Sequence, residues 1–159
     1  MNQLQIALQL RKDNKLTESN KLFVQLAAQH PDDAYLQYQC AWSFDVLGEE
    51  TQAVPYYEKA IQGELNAEDM ANAYLGLGST FRTLGKYQQS QETLSKAIAL
   101  FPENQALQVF YAMTLYNLNE HSNAMELLLN CIANSSMDIN IQKYKRAIQF
   151  YAEKLDETW

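Results

Sequence analysis

The sequence predicts an all-α fold of about four consecutive helical hairpins followed by one lone C-terminal helix. Three observations carry this reading. Aligned against itself at a spacing of about 34 residues, the chain brings small side chains into register at Ala7, Ala41, Gly78 and Ala112. A second register holds Ser19, Ala53, Ser90 and Ala124, with the bulky Phe23, Tyr57, Leu94 and Leu128 four positions later. Between the two registers fall Asn14, Gly48, Gly85 and Asn119, the residue types that end a helix in a left-handed conformation. Where two helices cross closely, only Ala, Gly or Ser lets the backbones approach, and large neighbours fill the space beside the crossing.

The first hairpin is expected within residues 1–31, with helices over 3–11 and 16–29 that stop at His30-Pro31. Asp32 and Asp33 precede the next helix, where a carboxylate accepts free amides and favours the positive helix end. The second hairpin is expected over 34–62, as helices 34–46 and 50–62. Pro55 lies inside the latter; this close to the helix start, it predicts a tolerated bend and no break. The step from Ala41 to Gly78 is 37 residues where that from Ala7 to Ala41 is 34, so a longer loop is expected over 63–69. The third hairpin is placed at 70–101 and the fourth at 104–133. A helix over 139–155 remains, with Ile141, Tyr144, Ile148, Tyr151 and Leu155 forming one apolar stripe. It is expected to pack over the exposed end of the last hairpin, with Tyr144 and Ile148 in the core.

The 159 residues suffice for one domain spanning 1–159. Twelve basic side chains against nineteen acidic ones give a net charge of -7, which argues against a nucleic-acid partner. The charge is uneven: Lys59 alone faces seven acidic residues over 34–70, while Lys143, Lys145, Arg146 and Lys154 make the C-terminus slightly basic. Cys40 and Cys131 fall on inward faces and read as reduced packing residues. The N-terminus carries no basic leader ahead of an apolar core, and no apolar run approaches the roughly 20 residues of a membrane span. The expected location is cytoplasmic, with no membrane partner.

The frame set by Tyr74, Leu77-Gly78, Phe81, Gly85, Leu94, Ala97 and Pro102, and repeated upstream as Ala41, Phe44, Gly48, Ala53, Tyr57 and Ala60, resembles the tetratricopeptide repeat. The resemblance covers residues 1 to about 138 and is strongest in the middle two hairpins. With its C-terminal run Lys143 to Ala152, the chain looks like small bacterial members of that family to which no particular activity is attached. The resemblance implies a right-handed α-α superhelix whose first helices line a concave face, binding of peptides or proteins, and no chemistry of its own. Members that grip the C-terminal peptides of heat-shock proteins use basic and amide side chains at places held here by Tyr38, Trp42, Gly76, Ala106 and Phe110, so that clamp is missing.

On this frame the concave face is lined by Arg11, then Tyr35, Tyr38, Trp42 and Asp45, then Ser79 and Arg82, then Met113 and Tyr116, beside aliphatic residues such as Leu4, Leu8, Leu75 and Val109. These nine are the candidate peptide-binding residues. Aromatic anchors are the types most enriched where binding energy concentrates, and such a trough suits an apolar peptide better than a charged tail. The sequence leaves open whether Tyr38 and Trp42 are exposed or packed. No catalytic, cofactor or metal site is expected: His30 and His121 stand alone, and Gly76 and Gly78 lie inside a helix without the lysine of a phosphate loop. The expected function is a peptide- or protein-binding scaffold and not an enzyme. The alternatives are a self-associating subunit that buries the same face in a homodimer, and a chaperone-like protein that shields a partner.

Overall fold

The structure, a computed structural model, describes residues 1–159 and contains ten helices. The chain divides into two compact units, residues 1–86 and 87–159. The N-terminal unit holds α1 (Gln3–Lys12), α2 (Leu16–Gln29), α3 (Ala34–Asp45), α4 (Glu50–Gln62) and α5 (Ala67–Thr83). Within it α1 packs on α2, α2 on α3, α3 on α4 and α4 on α5. The C-terminal unit holds α6 (Tyr87–Leu100), α7 (Gln105–Asn117), α8 (His121–Ser135), α9 (Ile139–Lys143) and α10 (Lys145–Ala152). There α7 packs on both α6 and α8, and α10 packs on α8.

The four corners read from the sequence adopt one geometry. Asn14, Gly48, Gly85 and Asn119 all take positive φ, between 58° and 73°. In each case the next residue's amide closes the helix end: Lys15 donates to the Leu10 carbonyl at 2.8 Å, Glu49 to Phe44 at 3.0 Å, Lys86 to Phe81 at 2.8 Å and Glu120 to Leu115 at 2.9 Å. This six-to-one bond satisfies a carbonyl that a helix end would otherwise leave open. On both sides of the corners the small residues are inside: Ala7, Ala41, Gly78 and Ala112 before them are all buried, as are Ser19, Ala53, Ser90 and Ala124 after them. Ser19 also uses its hydroxyl at the crossing, donating to the Ala7 carbonyl at 2.8 Å.

A second repeated device starts the first helices. Asp33, Asn104 and Asp138 cap α3, α7 and α9, each accepting from the amide three residues on, at 3.0, 3.2 and 3.1 Å. Four residues beyond each cap stands a glutamine, and Gln37, Gln108 and Gln142 each donate Nε2 at 3.2 Å to the carbonyl six residues back, that of Pro31, Pro102 and Ser136. The helix after Ser136 is therefore begun in the same way as the first helix of a hairpin. It is not completed as one: Lys145 and Arg146 stand where the other first helices carry the tight-crossing pair Cys40-Ala41 and Tyr111-Ala112, and both cations are exposed.

Two expectations about element limits are corrected. The three extra residues near 63–69 do not form a long loop. Asn66 caps α5 by accepting from Asp69 N at 2.8 Å, and Glu68 and Asp69 sit in its first turn, so the insertion lengthens the helix to Ala67–Thr83. The helix expected over 139–155 is broken at Tyr144 and ends at Ala152. Ile139, Asn140 and Ile141 are weak helix formers, and the short α9 they open closes when Tyr144 donates to Ile141 three residues back. The break rotates the stripe. Ala152 is buried and Ile148 half-buried, while Tyr144 is 66% exposed and Tyr151 and Leu155 face solvent, so Tyr144 is not a core residue. Through Pro55, α4 continues unbroken.

The core of the N-terminal unit is organised around Tyr57. Its ring packs among Tyr38, Ala41, Ala53, Ala73, Leu77 and Phe81. Gly76 on α5 is what admits it: a Cβ at that position would lie 2.5 Å from both Cζ and Oη of Tyr57. The tyrosine cannot yield, because its hydroxyl is tied to Asp45 at 2.5 Å. Gly76→Ala should therefore destabilise the protein by about 1–3 kcal/mol despite the better helix propensity of alanine. Urea unfolding measures this; a variant as stable as the parent would mean that Tyr57 is not held against α5.

Candidate functional site

Seven of the nine sequence-predicted residues lie in the N-terminal unit. Arg11 is in the last turn of α1, and Tyr35, Tyr38, Trp42 and Asp45 lie along α3. Ser79 and Arg82 lie on α5, both half-buried. Trp42 is the most open aromatic of this set at 41% exposed, whereas Tyr38 is only 7% exposed. Between the two aromatics whose exposure the sequence leaves open, Trp42 faces solvent and Tyr38 supports it, with their rings stacked at 6.3 Å and 14°.

Arg11 is the second support. Its guanidinium lies 4.2 Å from the Trp42 ring and 4.7 Å from that of Phe23. Nη1 donates to Gln39 Oε1 at 2.6 Å and Nη2 to the Gln39 carbonyl at 2.9 Å. A cation held between two rings and anchored by a side chain from the neighbouring hairpin is a fixed part of the surface. Burial lowers the Arg11 pKa, and the neighbouring Tyr38, Tyr35 and Tyr57 act against that fall. Trp42 thus stands partly open to solvent with its indole held against Tyr38 and Arg11.

The acidic end of this face is equally committed. Asp45 accepts from the Tyr57 hydroxyl through Oδ2 and from Thr80 Oγ1 through Oδ1, at 2.5 and 3.0 Å, joining α3, α4 and α5. Burial lifts the Asp45 carboxyl above its ordinary value, and the two hydroxyl donors pull against that rise. Burial, followed by the field of Asp69, likewise raises Tyr35, and raises Tyr38 to about 12. Both phenols are therefore neutral hydrogen-bonding groups at ordinary pH. Neither cysteine is a nucleophile in waiting: both are buried and free, and burial pushes the Cys40 thiol up to about 12.

In the C-terminal unit Met113 and Tyr116 lie along α7, both exposed, with Tyr116 at 62% and its ring 4.8 Å from that of His121. Sequence reasoning missed a third group there. Phe150, Tyr151 and Trp159 gather at centroid distances of 5.2 to 6.4 Å, with Lys154 Nζ 4.6 Å from the Phe150 ring. The signal was present as aromatics outside the apolar stripe of the last helix, at Phe150 and at the chain end. No group of three or more His, Cys, Asp or Glu side chains is placed to hold a metal ion, and no helix is long and apolar enough to cross a membrane.

A family model described as Tetratrico peptide repeat matches residues 34–155. Among curated proteins, Superkiller protein 3 of Saccharomyces cerevisiae (strain ATCC 204508 / S288c) is 26% identical over 94 residues, a stretch that spans 55% of this chain and 6% of that protein. The chain therefore corresponds to a small part of the curated relative it matches. Among solved structures, MamA superposes with a TM-score of 0.76 at 18% identity, covering 97% of this chain and 90% of that one. A putative kinesin light chain from Podosopora anserina with nearly identical TPR-like repeats gives 0.71 at 16% identity, over 97% and 85% of the two chains. The Cut9-Hcn1 hetero-tetramer of the APC/C gives 0.70 at 21% identity, over 94% of this chain and 29% of that one. At these identities the likeness is one of fold.

Asp45 yields a test of the tie beneath the surface. A carboxyl whose pKa is higher folded than unfolded binds its proton more tightly when folded. Its stabilising contribution is present at low pH and lost as pH rises through the folded value. Asp45→Asn removes that titration, so the stability of the variant relative to the parent should improve as the pH rises above the ordinary carboxylate range and level off once it passes the folded value. Urea unfolding across that range measures it; a difference that is flat, or that runs the other way, contradicts the buried placement of Asp45.

Proposed function

The chain belongs to the tetratricopeptide repeat family, whose repeats are generally protein-protein interaction scaffolds, and from that premise we propose that it binds a peptide or protein segment through the Trp42-centred face of its N-terminal unit. One observation carries the reading. Trp42 is 41% exposed while its ring is stacked with Tyr38 and lies against the Arg11 guanidinium. An exposed aromatic that is already immobilised loses little entropy on contact, which is the property that makes a binding anchor effective. Tyr35 on the same helix and Ser79 and Arg82 on α5, all half-buried, are the remaining candidate polar contacts of this unit, and in the other unit Met113 and Tyr116 are a further exposed pair.

Family members are typically non-catalytic, and the side chains named here support holding a partner without transforming it. Asp45 is committed to two hydroxyls, Arg11 to Gln39, and both thiols are buried. Buried, unpaired cysteines fit a reducing compartment, so a cytoplasmic setting belongs to the same proposal. A second reading, self-association, is favoured by the exposed aromatics Tyr144, Phe150, Tyr151 and Trp159 in the C-terminal unit; this cluster, and not the Trp42 face, would be covered in a homodimer.

Trp42→Ala should reduce capture of the partner from a native extract by about tenfold or more while costing the fold only about 1–2 kcal/mol for the lost ring and cation contacts. Capture that is undiminished would remove Trp42 as the anchor. Light scattering over a range of concentrations separates the second reading: a dimer that Trp159→Ala and Tyr151→Ser together dissolve, and that Trp42→Ala leaves intact, would place self-association at the C-terminal aromatics.

A further inference from the structure

In the C-terminal unit α10 packs on α8 as α7 packs on α6, which puts it in the place of a first helix. It also carries the mark of one. Every first helix holds a small residue with a large one three positions later: Ala7 with Leu10, Ala41 with Phe44, Gly78 with Phe81 and Ala112 with Leu115. Ala147 with Phe150 repeats the pair, one residue beyond the usual step and on the far side of the break at Tyr144.

Elsewhere the following helix covers this pair. Ser19 of α2 donates to the Ala7 carbonyl, Ala53 of α4 packs in one cluster with Ala41, and Ala124 of α8 packs in one cluster with Ala112. Those three alanines are no more than 1% exposed. Ala147 and Phe150 are exposed, as are Arg146 and Tyr151 beside them. At about 3.6 residues per turn these four form one face, opposite the side of α10 that buries Ala152 and half-buries Ile148. A terminal helix that only seals a stack turns a polar face outward. This one turns out an uncovered crossing.

Charge says what would cover it. Lys143, Lys145 and Arg146 stand exposed at the start of the face and pair with no carboxylate, whereas Lys154 pairs with Glu153 at 2.6 Å. In an antiparallel hairpin the start of the first helix meets the end of the second, as Gln108 of α7 meets Cys131 of α8. A helix laid on α10 in that way brings its C-terminal turns, with their open carbonyls and negative dipole end, to the three cations.

We propose that α10 takes up a helix from a partner protein and so completes a further hairpin, the incoming helix placing a small residue over Ala147 and carboxylates of its last two turns beside Lys143, Lys145 and Arg146. The site is separate from the Trp42 face, and its failure would leave that reading standing.

The probe is a 15-residue peptide copying α8, His121–Ser135, with Asn130→Glu and Asn134→Glu. Added to the full chain, it should shift the backbone amides of Ala147 and Phe150 and the indole N–H of Trp159 saturably in nitrogen-proton spectra, and leave the Trp42 indole unmoved. The same peptide with Asn130→Lys and Asn134→Lys should bind about tenfold more weakly or worse. Ala147→Leu should also weaken binding about tenfold, because it closes the crossing, whereas a merely apolar patch would gain from the larger side chain. Arg146→Glu should weaken it likewise, and the helicity of both variants should match the parent. Shifts that do not saturate, equal binding of the two peptides, or binding undiminished in Ala147→Leu and Arg146→Glu would overturn the proposal. A dimer in light scattering that covers the same amides would overturn it as well, by making a second copy of the chain the occupant.

Discussion

The structure depends on the close approach of helix backbones at positions where no side chain larger than alanine or serine fits. Ala7, Ala41, Ala53 and Ala112 are at or near zero exposure because the partner helix passes directly over them. That contact is made repeatable by corners of a single kind, in which an asparagine or glycine turns left-handed and the next amide reaches back to the helix it has just left. Crossing and corner act together. The corner sets where the second helix begins, and the small residues set how near it comes.

From this constraint follows the division of labour within the N-terminal unit. Tyr57 enters between α4 and α5 because Gly76 leaves room for its ring, and its hydroxyl then meets Asp45 and, through Asp45, Thr80. A tyrosine that fills a glycine gap and ends on a carboxylate joins three helices at one point. The carboxylate is drawn into the interior, and Tyr38 is pressed between Tyr57 and Trp42. What remains facing outward is the indole of Trp42, which also lies against Arg11, whose own hydrogen bonds run to Gln39 on α3. The residues that look most able to grip a charged ligand are those the fold has already used to hold its own surface in place.

The hairpin limits were legible in the sequence because small residues, corner residues and bulky fillers each recur at fixed spacing, and each has a steric reason for its place. The α5 start was misplaced by three residues because Asn66 is a helix cap only if Ala67, Glu68 and Asp69 already form a turn, a choice that local composition does not make alone. The final helix was read as one stripe because period alone does not see a break; Tyr144 ends α9 while the apolar spacing runs on across it. The sequence assigns each candidate residue to a helix, but it does not show their commitments. That Arg11 pairs with Gln39, or Asp45 with Tyr57 and Thr80, depends on side chains brought in by other helices, and no periodicity encodes such partners.

The central claim is that the crossings and the Tyr57 tie leave Trp42 both open to solvent and immobile. The chain has two tryptophans, so Trp159→Phe leaves Trp42 as the sole indole reporter. Time-resolved anisotropy with acrylamide quenching of that variant measures both properties at once. The account predicts efficient quenching with no fast local rotation, and predicts that Arg11→Ala releases the rotation without changing the quenching. Poor quenching would place Trp42 in the core, and free rotation in the presence of Arg11 would show that the indole is not clamped.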